Sequence, residues 1–278
     1  DGEPGPLHGL GTRASQVLVV TSSTAREYMH PIAFHLAGHP VRSAGLLYVL
    51  AAIVGGVHAY RVARRNGWDT EVVLPGLALV VAAAYLGARL HGALNHWDRL
   101  AADPMRELLR PGALSFFGGL ALGSAALIAF LRWVRLPLGE AADALAPVAP
   151  ILYAMFRLGC FLNGDDYGRP TSMSWGMSFP GGSPPTLDRV HPSQLYEIGL
   201  MIPVMLALRW RSRTNRPNGV LAFELCAMMG AERLLVEFSR SGSEASFYPT
   251  VPQWLALALG TVGVAVRSWL WIRRTPVT

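Results

Sequence analysis

Residues 157–170 read Arg157-Leu-Gly-Cys-Phe-Leu-Asn-Gly-Asp-Asp-Tyr-Gly-Arg-Pro170, and they mark the point where a long apolar segment gives way to a polar loop. Two arginines, two aspartates, an asparagine and a tyrosine fall within this stretch. The loop continues, rich in Gly and Pro, to the sequence His191-Pro-Ser-Gln-Leu-Tyr-Glu197. Charged groups at the mouth of a membrane segment are costly, so this cluster indicates a functional site.

The composition is that of a membrane protein. Of the 278 residues, 51% are hydrophobic and 15% are charged, whereas a soluble domain has about 25% charged residues. The net charge is +6, and the chain contains arginine but no lysine. These arginines recur between apolar segments and form no single patch, which argues against a nucleic-acid partner. The two cysteines, Cys160 and Cys226, give neither a disulfide framework nor a metal-binding pattern, so we expect no metal and no cofactor.

Seven apolar segments follow a polar N-terminal extension, and each is close to the ~20 residues that cross a bilayer. The fourth is interrupted by Asp143, Pro147 and Pro150, which a membrane tolerates only inside a protein or beside a wet cavity. We predict an all-α polytopic membrane protein with about seven transmembrane helices and an extracytoplasmic loop subdomain. The predicted segments cover approximately 41–60, 73–93, 113–131, 140–160, 194–210, 219–236 and 252–272. The predicted parts are an extension at 1–29, a membrane domain at 30–278 and a head loop at 163–193 within it.

Arginine placement predicts the orientation in the membrane. The loops after the odd-numbered segments are short and dense in arginine, as cytoplasmic loops are. The opposite loops mix arginine with acids. The N-terminus is therefore expected outside and the C-terminus in the cytoplasm, with the 157–193 loop facing outward. The arginines that decide this are Arg61, Arg64, Arg65, Arg132, Arg135, Arg209, Arg211, Arg213, Arg216, Arg273 and Arg274.

Five ionisable residues lie within or at the edge of predicted segments: Arg89, Asp143, Arg157, Arg233 and Glu237. Arg233 and Glu237 are four residues apart, so they can share a helix face and form an ion pair. For Asp143 and Glu237, a packing ion pair and a catalytic role both remain open. Arg157 and Arg233 both come near the outer face, where two guanidinium groups suit the phosphate of a phospholipid.

The motifs of this chain, taken in order, resemble those of the prolipoprotein diacylglyceryl transferase family over about residues 30 to 260. The resemblance implies a seven-helix, outward-facing fold. It also implies transfer of a diacylglyceryl group from phosphatidylglycerol to the lipobox cysteine of a prolipoprotein, releasing glycerol phosphate. The motifs are Arg157 to Pro170, Trp175-Gly-Met-Ser-Phe-Pro180, His191 to Glu197, Val41-Arg-Ser-Ala-Gly-Leu-Leu-Tyr48, Ser115-Phe-Phe-Gly-Gly119 and Gly230-Ala-Glu-Arg-Leu-Leu-Val-Glu-Phe-Ser-Arg240.

The resemblance also implies roles for individual residues. Arg157 and Arg233 match the family's two essential arginines, and Asn163 and Glu237 join them as expected catalytic residues. Asp165 stands where the family usually has Glu. The residues expected to bind substrate are Arg89, Asp143, Asp165, Gly168, Arg240, His191, Gly118 and Gly119. For His191, which precedes a proline, ordering of the loop is the favoured role.

Four further positions depart from the family pattern. Phe117 replaces the family's histidine, its proposed general base. Ala44 replaces a tyrosine, a second tyrosine is missing around Met229, and Cys160 stands where many members have asparagine. His91 and His96 could supply an alternative base, although interfacial histidines without a role are commoner.

The leading hypothesis is therefore a transferase of the bacterial cytoplasmic membrane whose partners are phosphatidylglycerol, a prolipoprotein signal peptide and the bilayer. The alternatives are a weakened or repurposed homologue that modifies a different acceptor, and a phospholipid-binding protein without turnover. A transporter is disfavoured, because no internal repeat is visible and the polar residues gather at one face.

Overall fold

The computed structural model describes residues 29–110, 114–214 and 217–240, together with residues 258, 261–262, 264–266 and 268–269. The predicted extension at 1–29, apart from Met29, and most of the predicted segment 252–272 lie outside the described residues. The described part is mostly helical. Its elements are β1 (Ile32–Leu36), β2 (His39–Arg42), α1 (Ser43–Asn66), α2 (Thr70–Leu94), α3 (Trp97–Ala102), α4 (Pro104–Leu109), α5 (Phe116–Trp133), α6 (Leu138–Leu145), α7 (Ala149–Asn163), β3 (Met177–Phe179), β4 (Thr186–Val190), α8 (Ser193–Arg211) and α9 (Val220–Glu237).

Among the described residues, two helices are long and apolar enough to cross a membrane. They are α1, with 24 residues, and α2, with 25, in agreement with the predicted segments 41–60 and 73–93. A third crossing results if α6 and α7 form one span that is broken between Leu145 and Ala149. That break falls where the sequence places Pro147, within the segment predicted to be irregular. A membrane protein built of helices is thus confirmed.

The chain divides into two compact units. The first contains the described residues within Asp1–Ala51, Pro150–Leu206 and Cys226–Val262, and the second contains those within Ala52–Ala149, Ala207–Leu225 and Gly263–Thr278. In the first unit, the start of α1 packs closely against α7 at Gly159, where an added Cβ would lie 3.3 Å from the Cβ of Ala44. The rings of Tyr48 and Phe156 stack beside this contact, with centroids 5.5 Å apart.

Before α1 the chain forms an antiparallel hairpin from β1 and β2. The sequence pattern predicts no strands in this stretch. Two backbone hydrogen bonds hold the hairpin to its neighbours, from Ser43 N to the Pro31 carbonyl at 3.1 Å and from His30 N to the Leu162 carbonyl at 3.2 Å. The fold is therefore not purely helical.

The predicted head loop contains a second small antiparallel sheet, formed by β3 and β4. Phe179 of β3 is fully buried. Tyr167 stacks on it with ring centroids 5.3 Å apart, and Phe161 of α7 meets it edge-on at 6.1 Å. This aromatic contact anchors the sheet to the end of α7.

In the second unit, α2 and α5 approach closely because small residues line their contact. A Cβ on Gly118 would lie 2.2 Å from the Gly87 carbonyl oxygen, and one on Gly123 would lie 2.8 Å from the Cβ of Ala84. Small residues allow helices in a membrane to pack backbone to backbone. A buried apolar cluster of Phe130, Leu131 and Ala141 lies in the same unit.

Candidate active site

Arg157 is the most deeply buried charged residue of the expected site, with 3% of its surface exposed. Its position in the last two turns of α7 directs it toward the loop that follows. Its Nη1 lies 2.8 Å from Oδ2 of Asp166, and its Nε forms an ion pair with Glu197. Its Nη2 has no hydrogen-bond partner among the described residues. The guanidinium is held firmly on one side and keeps a free donor on the other.

Glu197, near the start of α8, is the shared anion of the cluster. It is fully buried, and its Oε1 lies 3.6 Å from Nη1 of Arg233 and 3.4 Å from Nη1 of Arg240. The hydroxyl of Tyr153 donates to Oε2 of Glu197 at 3.3 Å. Together with the Arg157 ion pair, these contacts fix three arginines around a single carboxylate.

Arg233 and Arg240 have further acidic partners. Nη2 of Arg233 lies 2.7 Å from Oε2 of Glu237 one helical turn later in α9, which is the pair that the sequence spacing predicts. Nη2 of Arg240 lies 3.4 Å from Oδ1 of Asp166, and its Nη1 donates to the Asp166 carbonyl at 3.2 Å. The arginines thus belong to a network of charge-assisted contacts, which restricts their orientation.

The pKa values of two neighbouring aspartates of the loop shift in opposite directions. Burial raises the pKa of Asp165, although the hydrogen bond from Asn163 Nδ2 to its Oδ2, at 2.7 Å, acts in the other direction. Burial also disfavours the charged form of Asp166, but the hydrogen bond and charge of Arg157, with those of Arg240, outweigh it and lower the pKa of Asp166. The ionised form of Asp166 is therefore favoured, whereas Asp165 is more readily protonated.

Gly168 and His191 hold the two ends of the head loop together. The Gly168 N–H donates to the His191 carbonyl at 2.8 Å. A Cβ on Gly168 would lie 2.1 Å from the Ser239 carbonyl oxygen, so no larger residue fits. The ring of His191 contacts the Tyr196 hydroxyl at 3.1 Å, which also accepts from Trp175 Nε1 at 2.7 Å. Burial, and then the charge of Arg169, lower the pKa of His191.

The other expected substrate-binding residues belong to the second unit. Arg89 donates to the backbone carbonyl of Arg110. Gly118 and Gly119 lie in the contact between α5 and α2. Asp143 accepts from the backbone N–H of Gly219 at 2.9 Å and of Ala222 at 2.8 Å, at the start of α9. These contacts give each residue a packing or capping role, and substrate binding by them stays a prediction.

The residues that depart from the expected pattern also have defined places. Cys160 is buried, with its Sγ 3.6 Å from Nη1 of Arg157. Phe117, in the second unit, is 56% exposed. Donor atoms of Cys160, Asp165 and Asp166 lie within 4.8 Å of one another, as metal ligands can. Arg157 contacts two of these three, so a cationic group already accompanies them.

Four residues of the cluster have no role predicted from the sequence. Glu197, Asp166 and Glu232 lie within the motifs given above, and Tyr153 lies outside them. Glu232 immediately precedes Arg233, and it is 3% exposed. A charged residue inside an apolar segment was the signal that could have found Glu232 and Glu197.

Known proteins of one family resemble this chain over most of its length. The family model for prolipoprotein diacylglyceryl transferase matches residues 31–269. Curated relatives named phosphatidylglycerol–prolipoprotein diacylglyceryl transferase include one from Geobacter sulfurreducens, 36% identical over 77% of this chain and 83% of the relative. Another, from Bordetella bronchiseptica, is 32% identical over 88% of this chain and 96% of the relative. One from Oleidesulfovibrio alaskensis is 36% identical over 76% of this chain and 79% of the relative. On this similarity, which covers most of its length, the chain belongs to the prolipoprotein diacylglyceryl transferase family.

Proposed function

We propose that this protein transfers the diacylglyceryl group of phosphatidylglycerol to the lipobox cysteine of a prolipoprotein at the outer face of a bacterial cytoplasmic membrane. Membership of the family supports the reaction, since the relatives carry both substrates in their names. The observation that carries the proposal is the buried guanidinium of Arg157, which has an unused donor beside two further arginines.

That donor needs an acceptor, because a buried N–H without one costs about 1–3 kcal/mol. A phosphate oxygen satisfies it and gains from the surrounding positive charge. Arg157, Arg233 and Arg240 are already oriented by Glu197, so little side-chain entropy is lost when the lipid binds. The phosphate of phosphatidylglycerol fits this cluster, with Arg157 and Arg233 as its principal contacts.

In the transfer step, the cysteine sulfur attacks the glyceryl carbon that is attached to the phosphate oxygen. A carbon–sulfur bond forms as the carbon–oxygen bond breaks, and glycerol phosphate leaves with the bonding electron pair. The thiol proton passes to a base. Arginines stabilise both the thiolate and the charge that develops on the leaving phosphate.

The remaining expected roles form part of this proposal. Asn163 and Asp165 shape the loop over the phosphate, and Glu237 orients Arg233. Substrate contacts are assigned to Arg89, Asp143, Gly168, Arg240, His191, Gly118 and Gly119. We further propose seven transmembrane helices, an extracytoplasmic head at 163–193, an outside N-terminus and a cytoplasmic C-terminus, which the arginine distribution supports.

The direct test uses purified protein in phosphatidylglycerol vesicles with a lipobox peptide. Mass spectrometry should detect the peptide with one added diacylglyceryl group, and vesicles without phosphatidylglycerol should give none. Arg157→Ala should lower the rate by about 10²–10³-fold, as loss of a charge-stabilising donor does. Absence of product, while an established family member is active in the same vesicles, would overturn the proposal.

A second candidate function is phospholipid binding without transfer, and Phe117 in place of the family's histidine favours it. This candidate expects phosphatidylglycerol to co-purify in an Arg157-dependent manner with no modified peptide. Phe117→His separates the two cases. A faster transfer reaction in this variant indicates a slowed enzyme, whereas bound lipid with no product in either protein indicates a binding protein.

A further inference from the structure

The carboxylates of the arginine cluster differ in how they are held. Glu197 contacts three arginines, Asp166 contacts two, and Glu237 contacts Arg233. Asp165 accepts from the amide of Asn163. A carboxylate held against a guanidinium is a weak base, because the positive charge stabilises its ionised form. Glu197, Asp166 and Glu237 are therefore suited to orienting the arginines, and not to removing a proton. Asp165 forms no ion pair among the described residues: the Asn163 amide engages one of its oxygens, and the other, Oδ1, is buried without a hydrogen-bond partner.

Glu232 differs from Asp165 in that no side-chain amide engages it in the described part of the chain. It lies in α9 beside Arg233 and is 3% exposed. Its Oε1 has no hydrogen-bond partner in the described part of the chain, where Glu232 also makes no ion pair. Tyr153 and Arg157 of α7, Arg233 on its own helix and Arg240 just beyond it all lie within electrostatic range. A buried polar oxygen without a partner is rare, and a catalytic role is one explanation for it.

We propose that Glu232 is the base that removes the proton from the acceptor thiol; this inference rests on the transfer reaction proposed above. The S–H proton moves to Oε1 of Glu232 as the sulfur forms its bond to the glyceryl carbon. The carbon–oxygen bond breaks and glycerol phosphate departs from the arginines. The neutral carboxyl then returns its proton to water before the next turnover.

Two features make Glu232 suitable for this step. Its free oxygen can accept a proton without first giving up a hydrogen bond. The arginines within electrostatic range are already engaged by Glu197, Asp166 and Glu237, so they can serve the phosphate while Glu232 serves the thiol. Base and anion-binding groups thus lie in one cluster with separate tasks.

Glu232→Gln tests the proposal, because the amide has the same shape but does not act as a base. With a thiol peptide, transfer should fall by about 10²–10⁴-fold, the usual contribution of a general base. Glu232→Asp should keep part of the rate. Glu140→Gln, the same chemical change in the first turn of α6, serves as the matched control and should behave like wild type.

A selenocysteine peptide separates proton removal from a structural role. A selenol loses its proton more readily than a thiol, so it has little need of a base. Glu232→Gln should therefore transfer to the selenol peptide at close to the wild-type rate. Its melting temperature in detergent should equal or exceed that of wild type, because the substitution removes a buried charge.

The possible results are distinct. An active wild type whose Glu232→Gln variant is equally active with the thiol peptide overturns the inference alone. A variant that loses the thiol and selenol reactions to the same extent also overturns it, since the defect then lies in structure or binding. A wild-type protein that transfers to neither peptide overturns the proposed function, and this inference with it.

Discussion

The structure leaves no room for a residue larger than glycine at Gly168. A Cβ there would lie 2.1 Å from the Ser239 carbonyl oxygen and 2.9 Å from the Cβ of His191. The first of these atoms belongs to the backbone, so the collision cannot be relieved by a rotamer change. We expect Gly168→Ala to destabilise the protein by about 1–3 kcal/mol, the usual cost of overpacking.

Thermal unfolding in detergent measures the effect of Gly168→Ala. Gly199→Ala is the matched control, because no atom lies within 4 Å of its added Cβ and alanine is at least as compatible with the interior of α8. The variant at Gly168 should melt several degrees below the control. Equal melting temperatures would show that the loop relaxes around the methyl group.

Asp166 should give stability that depends on pH. Its pKa is lowered in the folded protein, since the contacts of Arg157 and Arg240 outweigh burial. The stability it contributes is therefore present above the unfolded value of about 3.9 and is lost as pH falls through the folded pKa. The melting-temperature gap between wild type and Asp166→Asn should be widest near neutral pH and narrow below about pH 4.

The adjacent Asp165 supplies the control with opposite sign. Burial raises its pKa, so the stability it contributes is present at low pH and is lost as pH rises through the folded value. The gap between wild type and Asp165→Asn should therefore shrink as pH rises. Parallel pH dependence in the two variants would contradict the electrostatic difference between these neighbours.

Only part of the candidate site could be predicted from the sequence. The spacing of Arg233 and Glu237 predicts their ion pair, because four residues make one turn of helix. The partners of Glu197 lie at positions 157, 233 and 240, on other elements. No local sequence pattern joins such positions, so the role of Glu197 as their shared partner is visible only in the folded structure.

At the scale of elements, Asp143 connects α6 to the start of α9. Both of its carboxylate oxygens accept from backbone N–H groups, those of Gly219 and Ala222. The first N–H groups of a helix lack partners within it, and a capping carboxylate contributes about 0.5–2 kcal/mol. We expect Asp143→Ala to lower stability by that amount, whatever Asp143 contributes to substrate binding.

Unfolding of Asp143→Ala and Glu140→Gln in the same detergent provides the measurement. Both positions lie in α6, and only the first has a carboxylate bonded to backbone groups of α9. The loss of stability should be confined to Asp143→Ala, and the lipidation rate shows separately whether activity changes. An unchanged melting temperature would mean that the exposed N–H groups find other acceptors.

Helices could be predicted from the sequence where burial in lipid is the only requirement. Long uninterrupted apolar runs placed α1 and α2 correctly. The hairpin of β1 and β2 gave no such signal, because its strands have five and four residues and their side chains are almost all exposed. The contact of α5 with α2 could have been inferred from Gly119 and Gly123, whose four-residue spacing is typical of close helix packing.

At the scale of the whole molecule, the number of crossings is the main prediction left to test. Asp188 lies exposed on β4 of the head loop, and Arg65 lies exposed near the end of α1. Between them the chain passes through α2, α5 and the broken pair α6 and α7. An odd number of crossings places the two positions on opposite faces of the membrane, and an even number places them on the same face.

The element that decides this parity is α5. Its 18 residues extend about 27 Å at 1.5 Å per residue, slightly less than the ~30 Å of the bilayer core. A short helix can still span if the bilayer thins or its flanking residues reach the interface, at a cost of fractions of a kcal/mol per Å. The arginines at 132 and 135, directly after its apolar run, favour a crossing that ends in the cytoplasm.

Labelling with a membrane-impermeant maleimide tests the parity in intact spheroplasts. In a Cys226→Ala background, Asp188→Cys should be labelled from outside, and Arg65→Cys should be labelled only after permeabilisation. The Cys226→Ala protein without an added cysteine shows how much label the buried thiol of Cys160 takes up. Labelling of both positions from outside would mean that α5 does not cross, and labelling of Arg65→Cys alone would reverse the predicted orientation. The expected result places the arginine cluster and the head loop on the outer side, where a membrane-anchored acceptor cysteine can reach them.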